Sequence, residues 1–249
     1  MSDPRYDVLG TTYTTTRRED PELAVQIHAA LGAGRTLLNV GAGAGAYEPR
    51  DRAVLAVEPS PVMIAQRAAD AAPAVLASAE RLPFVDSSFD AAMALHTVHH
   101  WNDPAAGLAE LRRVARRVVV VAGDAAVIDR LWLTSDYFPG MAFERRTDVQ
   151  PQAIAERLGG RTEIRPLRVP ADCLDGFTEA FMARPESYLD PGVRRNISTF
   201  RLLPDDQVAA GLARLRRDLV SGAWDARHGE LRRRSHLDAG LRIIISEAV

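Results

Sequence analysis

Short apolar runs and longer amphipathic stretches alternate along this chain. The runs lie at Thr36–Val40, Ala53–Val57, Ala74–Ala77, Asp90–Leu95, Arg117–Ala122, Thr162–Val169 and Leu241–Ile245. Each is four to six residues or a little more, bounded by turn-forming residues, and reads as a strand buried on both faces. Between them, apolar side chains recur at helical spacing. Leu23, Ile27 and Leu31 form one stripe after Asp20-Pro21, which supplies an N-cap and a first-turn proline, and Gly32 and Gly34 end that helix. Pro59-Ser60-Pro61 opens a short helix with Met63 and Ile64, and Asp103-Pro104 opens one with Leu108, Leu111 and Val114. A further helix is predicted at Pro151–Leu158. Strands that alternate with helices in this order predict a parallel sheet covered on both faces.

Two stretches depart from the alternation. Residues 125–160 hold Trp132, Tyr137, Phe138 and Phe143 around Pro139-Gly140. Residues 171–236 read as helical, broken at Pro185, Pro191 and Pro204, with Leu212, Leu215 and Leu219 as a buried stripe. So long an insertion between two strands predicts a cap over a site, with a helical layer packed on the sheet as the alternative. The polar residues 1–20 predict a lid, and the whole of residues 1–249 reads as one domain.

Composition narrows the class. With 249 residues, 47% hydrophobic and a formal charge of −2, the chain is neither disordered nor built for a polyanion. The arginine pairs Arg194–Arg195 and Arg216–Arg217 and the triplet Arg232–Arg234 are interleaved with acids, as on solvated helix faces, so nucleic acid is not the expected partner. No apolar run approaches the roughly 20 residues that span a bilayer, and MSDPRYDVLG lacks the layout of a signal segment. One cysteine, Cys173, makes no intramolecular disulfide, and a cytoplasmic location is expected.

Candidate chemistry centres on Leu37–Ala46, LLNVGAGAGA, an apolar strand running into a glycine-rich turn. Gly41, Gly43 and Gly45 let backbone N–H groups approach a ligand closely. Gly41-x-Gly43-x-x-Ala46 fits a dinucleotide fingerprint, and Glu58 lies near the offset of its ribose-binding acid. Only Tyr47–Arg52, with Pro49 among them, separate Ala46 from the second strand. A crossover helix aimed at a pyrophosphate has no room there. The spacing therefore favours a ligand without a diphosphate, and an NAD(P)-dependent reductase becomes the alternative.

LLNVGAGAGAYE, AVEPS and SAERLPFVDSSFDAAMALHTVHHW, in that order, resemble the successive motifs of class I S-adenosylmethionine-dependent methyltransferases. The resemblance spans residues 36–123 and is nearest to the small-molecule branch of ubiquinone and menaquinone biosynthesis. It implies a Rossmann-like, doubly wound, mostly parallel seven-stranded sheet with a helical cap. It implies S-adenosyl-L-methionine as cofactor, S-adenosyl-L-homocysteine as product, and a small aromatic or hydrophobic metabolite as acceptor. By the resemblance, Gly41, Ala42 and Gly43 meet the methionine part, and Glu58 accepts both ribose hydroxyls. Pro59 and Met63 pack on adenine, Ala79 and Glu80 meet its edge, and Leu95 and His96 lie near the sulfonium. Asn39 stands where the family's first motif has an acid, and Ser78 where an aspartate is common. Asn39 accepts a hydrogen bond but offers no charge to the ammonium. A non-catalytic cofactor-binding protein is a further alternative.

Methyl transfer is an in-line displacement that alignment largely accomplishes, with a base required only where the acceptor must lose a proton. His99 and His100 just beyond the fourth strand are the candidate bases; no third ligand suggests a metal. Tyr13 and Arg17 are candidates to fold over the cofactor, Arg17 against its carboxylate. Trp101, Asp172 and Phe177 are candidates for the acceptor pocket, and Phe138, Phe143, Phe181 and Tyr188 for its aromatic lining. Cys173 reads as a buried apolar residue rather than a nucleophile.

Overall fold

The computed structural model describes residues 18–141, 146–195 and 197–248. Tyr13, Arg17 and Phe143 lie outside them. Seven strands form one sheet: β1 Thr36–Val40, β2 Ala53–Glu58, β3 Ala74–Leu76, β4 Phe89–Leu95, β5 Ala115–Gly123, β6 Arg161–Pro170 and β7 His236–Glu247. Their order is β3-β2-β1-β4-β5-β7-β6, parallel except for β7, which runs antiparallel to both β5 and β6. The strand order reverses between β1 and β4, which leaves a crevice at their carboxyl ends where open α/β sheets bind ligands.

Two apolar layers hold the sheet. On one face Leu38, Val40, Ala92, Val118 and Val120 pack with Leu108, Leu111 and Val114 of a helix at Pro104–Val114 and with Ile154 and Leu158 of a helix at Pro151–Leu158. On the other, Leu37, Met93, Val119, Val121 and Ile243 pack with Leu23, Ile27 and Leu31 of α1, Pro21–Leu31. Asp20 caps α1 by accepting from the N–H groups of Glu22 and Leu23 at 3.0 and 3.1 Å, as the Asp-Pro pair predicts.

The cap belongs to this second layer. Trp132, Tyr137, Phe138, Tyr188, Phe200, Leu215 and Trp224 share its core, and Trp132 meets Tyr137, Tyr188 and Trp224 edge to face at 5.3–5.8 Å. Much of the expected cap is thus the helical layer of the alternative reading. Phe138 and Tyr188 are committed to packing, at 2% and 0% exposure, rather than to a pocket lining. The cap is also less regular than predicted. Short 3-10 turns and two short α-helices precede its long helix, Asp205–Ser221, with Pro185 and Pro191 each opening a new element and Pro204 standing just ahead of the long one.

The connection from β1 to β2 contains no helix. The expected shortage of room is realised as a run of turns over residues 41–52. Immediately after β2, Pro61–Ala65 forms the short helix α2, capped by the Ser60 side chain.

Candidate functional site

Gly41 leaves β1 with φ +69 and Gly43 follows at +51, backbone conformations that side chains strain to adopt. Space also demands glycine at the first position, because a Cβ on Gly41 would sit 2.1 Å from the Thr97 hydroxyl. The turn is tied to the neighbouring strand by hydrogen bonds from Gly41 and Ala42 N–H to the Val57 carbonyl, at 2.9 and 3.1 Å. Glu58 then ends β2 with its carboxylate under the turn. It accepts from Gly43 N–H at 2.8 Å and from Ser60 N–H at 3.0 Å. Burial raises the Glu58 pKa above the usual value of 4.5, opposed by those two N–H groups and by the charge of Arg67.

A second carboxylate, unforeseen from the sequence, braces the turn from behind. Glu48 and Arg67 form an ion pair at 2.7 Å with side-chain exposures of 7% and 5%. Asn39 donates its amide to Glu48 at 2.9 Å, Arg67 donates to the Gly43 carbonyl at 3.2 Å, and Ala72 N–H reaches Glu48. Asn39 is therefore the donor that a buried carboxylate requires beside it; an acid there would face Glu48 at the same distance. Glu48 and Arg67 are far apart in sequence and sit in segments that read as loop. Nothing in the sequence around either residue pairs them.

Tyr47 joins three parts of the chain. Its N–H donates to Glu19 at 3.2 Å, its carbonyl contacts the His28 ring nitrogen at 3.1 Å, and its hydroxyl donates to Asp175 of the cap at 2.8 Å. Tyr47 and His96 are non-glycine residues at positive φ, +63 and +53, and both border the crevice.

The crevice comprises two depressions that share Gly41, Gly43, Leu95 and His96. The first, with an empty volume of about 860 Å³ partly open to solvent, is bordered by Glu58, Pro59, Met63, Ser78, Ala79 and Glu80, and on its far side by His100, Trp101 and Asn102. The second, of about 1080 Å³, is bordered by Glu19, Asn39, the glycine turn, Tyr47 and Gln66. The first offers an apolar slot with a carboxylate at one end, the chemistry of a nucleoside site. The second offers turn backbone and, among the described residues, a single acid, Glu19.

The structure thus gathers Asn39, Gly41, Ala42, Gly43, Glu58, Pro59, Met63, Ala79, Glu80, Leu95 and His96 around one crevice. Glu80 also accepts from Asn102 N–H at 2.9 Å, which fixes the loop ahead of the Pro104–Val114 helix. Trp101 lies in the nucleoside depression and presses on Gly107 of that helix, the contact of a residue that pins the helix. His100 borders the same depression, whereas His99, its ring centroid 3.8 Å from that of His100 and tilted by 49°, borders neither. Phe177 reaches the site by packing against the His96 ring, 5.8 Å between centroids. Asp172 does not: it is exposed and borders neither depression, and the buried carboxylate of that segment is Asp175. Cys173 is buried, and its thiol is pushed up to about 12, which leaves it un-ionised and inert. Among the described residues no group of three or more His, Cys, Asp or Glu is placed to hold a metal, and no helix is long and apolar enough to cross a membrane.

Comparison with known proteins agrees with this geometry. Residues 38–121 match the methyltransferase domain family. A solved structure from Anabaena variabilis, assigned as a methyltransferase of an antibiotic biosynthesis pathway, is 32% identical over 93% of this chain and 98% of its own, with a TM-score of 0.82. The chain belongs to the class I S-adenosylmethionine-dependent methyltransferases. Two other structures share the methyltransferase fold at lower identity. The YcgJ protein of Bacillus subtilis is 17% identical with a TM-score of 0.50, covering 91% of this chain and 97% of its own. The [4+2]-cyclase SpnF is 18% identical with a TM-score of 0.52, covering 91% and 80%. A search of curated proteins returns no match.

The residues present fit the family's cofactor. A glycine turn that tolerates no Cβ, a buried carboxylate at the end of β2, and apolar walls from Pro59, Met63 and Ala79 suit a nucleoside, with the second depression left for an amino-acid tail.

Proposed function

We propose that this protein transfers a methyl group from S-adenosyl-L-methionine to a small metabolite with aromatic or hydrophobic character. The observation that carries the reading is Glu58. It is a carboxylate at 6% exposure, held by two backbone N–H groups at the carboxyl end of β2 and bordering the nucleoside-shaped depression. A carboxylate with lone pairs to spare is suited to accept both hydroxyls of a ribose. When bound, the cofactor supplies a methyl group activated by a sulfonium. The chain's own residues orient it: Gly41 and Gly43 offer turn backbone, Pro59, Met63 and Ala79 hold the adenine, and Leu95 and His96 border both depressions. Excluding water there favours displacement over hydrolysis.

The acceptor reading draws on three points. Phe177 presents an aromatic ring beside His96 at the junction of the depressions. Arg227, Arg232 and Arg234 of the cap are paired with acids, and the formal charge of the chain is −2, which disfavours a polyanion. The relative from Anabaena variabilis is assigned to antibiotic biosynthesis. The nearer likeness to ubiquinone and menaquinone C-methyltransferases rests on the motifs of residues 36–123 alone. For an acceptor that must lose a proton, His96 borders both depressions and His100 one, and these imidazoles are the bases of this reading.

The reading is tested by incubating the protein with S-adenosyl-L-methionine and a panel of phenols, quinols, amines and hydroxylated heterocycles. Release of S-adenosyl-L-homocysteine with at least one acceptor is the expected result. Tight binding of the cofactor with no turnover on any acceptor would favour a non-catalytic binding protein, whereas binding of NAD in its place would favour the reductase.

A further inference from the structure

Asn39 occupies the position at which the first motif of this family has an acid, and its amide is spent on Glu48. Glu48 in turn is neutralised by Arg67 and lies behind the turn, at 7% side-chain exposure. Neither residue presents an uncompensated negative charge to the second depression. One described residue bordering that depression does: Glu19, immediately ahead of α1, which is the only acid among its lining residues. Glu19 is exposed, so its carboxylate is accessible, yet its position is fixed. One of its oxygens accepts from Tyr47 N–H at 3.2 Å. Its neighbour Asp20 is buried and anchored, accepting from Glu22, Leu23 and, at 2.9 Å, from Leu174 of the cap. The carboxylate therefore stands at the wall of the depression without the entropy of a free surface side chain, as a recognition group should.

We propose that Glu19 is the residue that meets the α-ammonium of the cofactor's amino-acid tail. In this chain the negative charge for that ammonium comes from the segment ahead of α1, on the far side of the glycine turn, rather than from the end of β1. The displacement follows from the brace: once Glu48 and Arg67 occupy the space behind β1, position 39 must donate a hydrogen bond and cannot be an acid. The inference rests on the cofactor assignment made above and names the residue that completes it.

The test is calorimetric titration of the wild type and of Glu19→Gln with two ligands. One is S-adenosyl-L-homocysteine; the other is the same molecule lacking its α-amino group. Glutamine keeps an acceptor for Tyr47 N–H and removes only the charge. The expected result is that Glu19→Gln loses about tenfold in affinity for S-adenosyl-L-homocysteine, the scale of one charge-assisted hydrogen bond at a partly solvated site, and less than twofold for the deaminated ligand. Glu19→Asp, which keeps the charge, recovers part of the loss. Equal losses for both ligands would overturn the proposal, since Glu19 would then act only by shaping the turn through Tyr47. Undiminished binding of S-adenosyl-L-homocysteine by Glu19→Gln would overturn it as well, while the cofactor assignment stands. A wild type that binds neither ligand would instead overturn the cofactor assignment, and the role of Glu19 with it.

Discussion

The β1–β2 connection borders the crevice and the cap reaches it through Phe177 on the His96 ring, yet the two are held in shape by opposite means. Residues 41–52 have almost no apolar side chain to bury and no helix. Their course is set by hydrogen bonds to Val57, by the carboxylate of Glu58 and by the Glu48–Arg67–Asn39 cluster. The cap is held by its apolar content, with Trp224, Tyr188 and Leu215 at 0% exposure in one aromatic-rich core. Directional polar contacts fix atoms to within a few tenths of an ångström and fail sharply when one partner is lost; apolar packing tolerates substitution of similar volume. The half of the site that must meet an invariant cofactor is built the first way. The cap is built the second.

The sharpest way to break this contrast is to strike each side once. Arg67→Ala leaves Glu48 buried without its cation and should cost about 3–5 kcal/mol in chemical denaturation, with loss of nucleoside binding. Leu215→Ala in the cap should cost a comparable 2–5 kcal/mol or so yet leave cofactor affinity of the folded protein unchanged. Similar affinities in both variants would mean that the polar brace is not what shapes the turn.

Next in size is Glu58→Ala, expected to weaken S-adenosyl-L-homocysteine by about 2–3 kcal/mol in calorimetry, as for truncating a charge-assisted pair. A loss under about 0.5 kcal/mol would place the ribose elsewhere. The same carboxylate makes a pH prediction. Its folded-state pKa is raised above 4.5 by burial, so the folded protein binds the extra proton and stability falls as pH rises through the window from 4.5 to that higher value. Below 4.5 that contribution is fully present and the pH dependence vanishes. Ribose hydroxyls favour the charged form, so cofactor affinity should rise across the same window, and Glu58→Gln should show neither trend.

Asn39→Asp should cost about 1–3 kcal/mol, because it sets two carboxylates against each other where a donor is needed. Restoring the family's acid therefore does not improve cofactor affinity; a variant that is both stable and tighter would refute the account of this position. The smallest effect is expected at Asp172→Ala, an exposed residue outside both depressions, with less than about 0.5 kcal/mol in stability and no change in affinity.

What could be read from the residues follows the same division. Thr36–Val40 and Pro151–Leu158 emerge with the bounds the pattern predicts, because buried apolar periodicity is a local signal. β7 runs from His236 rather than Leu241, since Asp238 and Gly240, at φ +82, hide its first half. The glycine turn and Glu58 were legible as motifs. The partners of Asn39 were not, for Glu48 and Arg67 carry no periodicity and meet only once β1, β2 and α2 are assembled. Asp172 is exposed and Asp175 turns inward to the Tyr47 hydroxyl, a choice between two nearby carboxylates that sequence cannot make.

The Tyr47–Asp175 bond sets a rule for anyone who would re-engineer acceptor choice. Residues 171–235 are the segment one would exchange for that of another enzyme to test the proposed acceptor role of Phe177. The exchange would also remove the sole carboxylate that receives the Tyr47 hydroxyl among the hydrogen bonds described. A chimera that neglects this leaves a buried phenol to find a new acceptor at the rim of the cofactor crevice. One that imports an acid at position 175, or pairs the exchange with Tyr47→Phe, keeps the glycine turn in register while the rest of the segment is rewritten.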